Sequence, residues 1–221
     1  MKTTETTKST ELVFILDRSG SMHGLENDTI GGYNSLLDKQ KLEAGAARVT
    51  TVLFDDEVET LHDRIDIRAI APLTQKDYYV RGCTALMDAI GSTIERIVNV
   101  QKHTAPEYRS DNVLFVITTD GFENASRRYS LPQVREMITR QKERYGWEFL
   151  FLGAGIDAIA QAKSFGIDED HAVTSHADSR GTRLNYETVC EAVSSVRACA
   201  PLAANWKAAI EEDYASRDSD R

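Results

Sequence analysis

Asp17-Arg18-Ser19-Gly20-Ser21 sets one carboxylate and two hydroxyls at alternate positions of a short glycine-containing segment. That spacing lets all three oxygens turn toward one point. Carboxylate and hydroxyl oxygens are hard donors, suited to magnesium, calcium or manganese rather than zinc. Alone the segment says little, because Asp and Ser are ordinary loop formers. Two further segments bring more oxygen. Gly82-Cys83-Thr84-Ala85-Leu86 presents a threonine just before a helical pattern, and Thr118-Thr119-Asp120-Gly121 presents a second aspartate just after an apolar run.

The elements that must position these donors are legible from hydrophobic pattern. Residues 12–16, Leu-Val-Phe-Ile-Leu, are continuously apolar and read as a strand buried on both faces, ending at Asp17. Residues 113–118 read as another, ending at Asp120. Strands are also predicted over 48–54, 58–67, 148–152 and 172–174. Asp55-Asp56-Glu57 is read as a plain turn, so short that the third strand must run antiparallel at a sheet edge. Helices are predicted over 25–42, 84–98, 131–145, 157–165 and 186–198. Gly31-Gly32 weakens the first by about 1 kcal/mol per glycine, for which a close approach to the sheet would be a reason. Thr84 taken by itself is an N-cap, and Asp157 caps its short helix. Strands alternating with helices give a doubly wound α/β sheet, mostly parallel, with helices on both faces and one antiparallel edge strand. Such sheets bind ligands beyond the carboxyl ends of strands, where strand order reverses. The domain is expected over 11–200, after a flexible arm at 1–10. Residues 201–221 are expected to form a short helix over 202–214 and a polar tail.

Composition narrows the class. A chain of 221 residues with 41% hydrophobic and 28% charged residues can bury one sizeable core. Its net charge of −9 argues against binding a nucleic-acid backbone or an anionic membrane. No apolar run reaches the length of a membrane span, and residues 1–10 lack the apolar core of a signal peptide. Cys83, Cys190 and Cys199 form neither a disulfide framework nor a metal pair, so a cytoplasmic location is expected. The five histidines show no zinc-ligand spacing.

Asp-x-Ser-x-Ser, then a lone threonine, then an aspartate after a later strand resembles the metal-ion-dependent adhesion site of von Willebrand factor A domains. The resemblance extends over about residues 11–200 and includes stand-alone bacterial members, some associated with tellurite resistance. It implies a metal site of Asp17, Ser19, Ser21, Thr84 and Asp120. It also implies a Mg2+ ion (or Mn2+/Ca2+) with an open position filled by an acidic side chain of a partner protein. A cytoplasmic scaffold or adaptor, not an enzyme, is the function expected. The alternative is a metal-dependent phosphatase with Asp17 as nucleophile. There, Ser19 stands where a second aspartate is needed, Gly121 where an acidic pair is needed, and no lysine is placed for phosphate.

Neighbouring residues receive blander readings. Arg81 and Arg127-Arg128 flank the site and are taken as solvated loop charges. Cys83 is read as a small packed residue. Phe122-Glu123-Asn124 rim the site, with Glu123 a surface acid in reach of an ion through water.

Overall fold

The computed structural model describes residues 8–218. Its centre is a six-stranded sheet: β1 (Ser9–Asp17), β2 (Ala46–Phe54), β3 (Val58–Asp66), β4 (Asn112–Thr119), β5 (Glu148–Ala154) and β6 (Ala172–Ser175). The strands lie in the order β3-β2-β1-β4-β5-β6. All pairings are parallel except β2 with β3, the antiparallel hairpin at one edge. The predicted fold class is therefore the one observed. Chain order reverses between β1 and β4, the two strands that end at the aspartates.

Continuous apolarity in β1 is explained by what covers it. Leu12, Phe14 and Leu16 face α1 (Glu26–Lys41) and α5 (Ser179–Arg197). Val13 and Ile15 face the layer of α2 (Leu86–His103), α3 (Leu131–Tyr145) and α4 (Ala158–Ser164). All five side chains are fully buried. Each contributes on the order of 1.5–3 kcal/mol relative to exposure. Both layers therefore clamp the strand whose end carries Asp17.

Several boundaries differ from expectation for local physical reasons. β1 starts at Ser9, because Ser9 and Thr10 pair with Ala46 and Ala47. The expected flexible arm thus loses its last two residues to the sheet, and residues 1–7 lie outside the described part. α5 starts seven residues early. Asp178 caps it by accepting from the Gly181 amide at 2.9 Å, and Gly181 sits so close to the His176 carbonyl that no Cβ would fit. The last helix, α6, spans Ala208–Asp218 rather than 202–214. Residues just before it are held in turns, as Lys207 Nζ donates to the carbonyls of Glu169 and Ala172. Ile210 of α6 is buried in the same core as α1 and α5, so α6 is packed onto the domain. Residues 219–221 of the expected tail lie outside the described part.

Gly32 approaches α5, not the sheet: a Cβ there would fall 2.3 Å from a ring atom of Tyr186, whereas Gly31 meets nothing. The glycine cost in α1 is offset by this helix–helix contact.

Candidate metal centre

Parallel register brings the two acidic strand ends side by side, with Leu16 of β1 opposite Thr118 of β4. Beyond these ends three loops meet. Asp17 folds its own loop back: its Oδ1 accepts from the Ser19 amide at 2.7 Å. A single 3₁₀ turn, Gly20–Met22, then aims Ser21 at the β4 end. Ser21 Oγ donates to Asp120 Oδ1 at 2.5 Å, and Ser19 and Ser21 hydroxyls lie 3.1 Å apart. Thr84 Oγ1 donates to Ser19 Oγ at 3.1 Å. A continuous chain of oxygens, Thr84–Ser19–Ser21–Asp120, is the result, with Asp17 at its base. All five residues singled out in the sequence are brought together.

Thr84 does not cap α2. The N-cap position is Ala85, with no side-chain cap bond. Thr84 is instead held by the loop after β4, since its amide donates to Asn124 Oδ1 and its carbonyl accepts from the Asn124 and Ala125 amides. Its hydroxyl is thereby left to the cluster. Gly121 closes the cradle: a Cβ there would stand 2.8 Å from Thr84 Oγ1 and 3.3 Å from Ser21 Oγ. Only glycine lets the β4 end come this close.

Electrostatics in the cluster are unfavourable to two bare carboxylates. Burial pushes Asp17 above the usual carboxylate range, against the hydrogen bonds from Thr119 and Ser19. Burial likewise pushes Asp120 up to about 6, and the charge on Asp17 adds to this. The donor set fits a hard divalent cation: two carboxylates would balance its charge, and three neutral hydroxyls would complete an oxygen shell. Among the described residues, no three His, Cys, Asp or Glu side chains stand together to hold a softer metal.

A pH dependence follows. The folded, metal-free protein holds these two protons more tightly than the unfolded chain, whose aspartates titrate near about 3.9. The Asp120 contribution to stability is full below that value and is lost as pH rises through about 6, and Asp17, also raised by burial, acts in the same direction. In chelator, the melting temperature of the wild type should therefore gain more between pH 7.5 and 5 than that of Asp120→Asn. Identical pH profiles for the two proteins would rule this out.

Several functional contacts escaped the sequence reading. Thr119 Oγ1 donates to Asp17 Oδ2 at 2.5 Å, so both carboxylate oxygens are engaged. The signal was a hydroxyl at the end of an otherwise apolar strand. Tyr78, fully buried, donates its hydroxyl to the Asp17 carbonyl. Glu123 does not face the ion site. Its carboxylate accepts from the amides of Met87, Ala125 and Ser126, tying the loop to the start of α2. Asp88 receives the amides of Arg127, Arg128 and Tyr129 in the same way. Arg127 and Arg128 are exposed, as expected of loop charges. Arg81 is not a free charge but is paired with Asp55 and Glu57, and Cys83 is exposed rather than packed.

No family model matches the chain, and no curated protein sequence matches it. Solved structures do. Proximal thread matrix protein 1 from the mussel byssus, with a zinc-occupied MIDAS motif, superposes with a TM-score of 0.58 at 16% identity. That match covers 86% of this chain and 46% of the mussel chain, so this chain spans about half the length of that protein. The manganese-loaded TRAP protein of Plasmodium vivax gives 0.56 at 19% identity, over 80% of this chain and 72% of that one. The vWF domain of the type V pili tip protein Mfa5 from Porphyromonas gingivalis gives 0.55 at 12%, over 85% and 95%. At these identities the likeness establishes the fold, which is that of von Willebrand factor A domains.

Proposed function

We propose that Asp17, Ser19, Ser21, Thr84 and Asp120 hold one divalent cation, and that the protein is a metal-dependent protein-binding module. The observation carrying this reading is the convergence of five oxygen-bearing side chains from three loops at the β1/β4 reversal. Magnesium is proposed as the ion, with manganese or calcium as substitutes. Two solved neighbours, one with a zinc-occupied MIDAS motif and one manganese-loaded, support a divalent ion in general. When bound, the ion supplies a positive centre to which an anionic oxygen can attach. The residues of this chain align the hydroxyls, balance the charge and leave one face of the cluster toward solvent, where Gly20 and Ser21 are exposed. A carboxylate from a partner protein is the ligand proposed for that face.

A cytoplasmic adaptor role is proposed on the same footing. It is supported by free thiols at Cys83, Cys190 and Cys199. No helix among the described residues is long and apolar enough to cross a membrane. The phosphatase reading is weaker because Ser19 stands where a second aspartate is needed, Gly121 stands where an acidic pair is needed, and no lysine is placed for phosphate. A phosphatase assay with magnesium checks this directly: turnover that disappears in Asp17→Asn would revive the enzyme.

The binding test uses Thr84→Ala. Its loss removes one hydroxyl hydrogen bond, about 1 kcal/mol of stability, while the backbone ties to Asn124 and Ala125 stay. A partner captured in magnesium should bind the wild type by surface resonance, and should bind poorly in chelator or to Thr84→Ala. Moderate salt should weaken the complex little, because the net charge of −9 repels an acidic partner except at the ion. Equal binding in all three conditions would move the interface elsewhere on the molecule.

A further inference from the structure

The loops of the cluster are joined a second time, on the side away from β4. Arg18, the residue between Asp17 and Ser19, is 0% exposed. Its Nε reaches Asp55 Oδ2 at 2.8 Å and its Nη1 reaches Glu59 at 2.7 Å. Asp55 opens the β2–β3 turn and is also fully buried. The same Oδ2 accepts Arg81 Nε at 2.7 Å, and Arg81 lies three residues before Thr84. Both guanidinium groups cover the ring of Tyr79, at 5.3 and 5.6 Å. Main-chain bonds follow the same path. The Arg81 amide donates to the Arg18 carbonyl at 2.9 Å, Gly20 to Gly82 at 3.2 Å and Ala85 to Asp55 at 2.7 Å.

One carboxylate oxygen thus links the loop carrying Ser19 and Ser21 to the loop carrying Thr84. None of Arg18, Asp55 or Arg81 offers an oxygen to the cluster. We infer that Arg18 and Arg81, joined on Asp55, are positioning residues of the metal site: they hold its two hydroxyl-bearing loops in register before the ion arrives. This rests on the reading of the cluster as a metal site. The physical reason is that hydroxyl ligands are weak and bind a cation usefully only when already assembled. A turn of β2–β3, which supplies no ligand, serves as the anchor.

Arg81 is the residue to change, because its side chain is 40% exposed and its loss leaves the buried Arg18–Asp55 pair intact. A matched control is Arg64→Gln, which removes a comparable pair, Arg64 with buried Glu11 at 2.8 Å, at the opposite end of β1. Two readouts are taken on the whole chain: manganese affinity by calorimetry, and amide hydrogen exchange of residues 18–22 and 82–85 without metal. Arg81→Gln should weaken manganese binding about 10-fold or more and speed exchange in both loops, while Arg64→Gln should leave both readouts at wild-type levels. Arg81→Lys should restore part of the affinity, since it keeps the charge but not the fork. Wild-type affinity and exchange in Arg81→Gln would overturn the inference, and so would equal weakening in Arg64→Gln. A wild type that binds no manganese would instead overturn the metal site itself.

Discussion

Titration of the protein with manganese or magnesium is expected to show a single site, and Asp17→Ala combined with Asp120→Ala is expected to show none. The affinity should fall roughly in the micromolar to millimolar range, because three of the five donors are neutral hydroxyls and only two are carboxylates. Removing both carboxylates takes away all the formal negative charge facing the ion. The three hydroxyls left behind have no more hold on a divalent cation than water has. Stability should report the same event. Magnesium at about 100 times its dissociation constant adds about 2.7 kcal/mol to the wild type, which for a domain of this size is a rise of several degrees in melting temperature. The double variant should show no rise. Chelator should leave the wild type folded, because its two apolar layers are held by hydrophobic burial and contain none of the five oxygen-bearing residues. Binding that persists in the double variant would sink the assignment; global unfolding in chelator would make the ion a structural one.

Asp55→Ala is expected to cost about 3–5 kcal/mol, the usual cost of breaking a buried ion pair by removing one partner. Its carboxylate is the shared acceptor of two guanidinium groups and of the Glu57 amide. Burial alone would raise its pKa, but the bonds from Arg81, Glu57 and Arg18 prevail and hold it below the usual carboxylate range. Removal leaves Arg18 fully buried with Glu59 as its remaining carboxylate partner. Most of the cost is that of a charge in a poorly solvating site, not the net value of the pair. Replacing Arg18 as well, as Arg18→Met with Asp55→Ala, should therefore recover part of the loss. Denaturant unfolding of the single and double variants measures this. A double variant no more stable than Asp55→Ala would mean that the contacts themselves, and not the stranded charge, carry the energy.

The pattern that was legible in the sequence is local. Five apolar residues ending at Asp17 specify a strand with both faces covered, because side chains alternate between faces and each face here meets apolar residues. The short turn at 55–57 specifies an antiparallel edge, because a parallel strand needs a longer crossover. The five oxygen donors could be named because their order along the chain resembles that of von Willebrand factor A metal sites, each standing beside an element of clear period. α5 was read short for want of such a period. Residues 179–185, Ser-Arg-Gly-Thr-Arg-Leu-Asn, carry no apolar stripe, and their helix rests on the Asp178 cap and on packing of Gly181 against His176.

What only tertiary structure decided is which polar groups meet. Arg18 and Asp55 are 37 positions apart, and nothing in either segment distinguishes a buried ion pair from two ordinary loop charges. Glu123 looked free to face an ion, and the Met87 amide at the start of α2 and the Ala125 and Ser126 amides of its own loop claimed it. Thr84, named as a ligand and by itself also readable as a helix cap, has its amide taken by Asn124, which leaves its hydroxyl to the cluster. Strand identity follows from side-chain period, a property of neighbours along the chain. A hydrogen bond depends on position to within a few tenths of an ångström, and that position is set only when the β1/β4 register, the 3₁₀ turn after β1 and the β2–β3 hairpin are all in place.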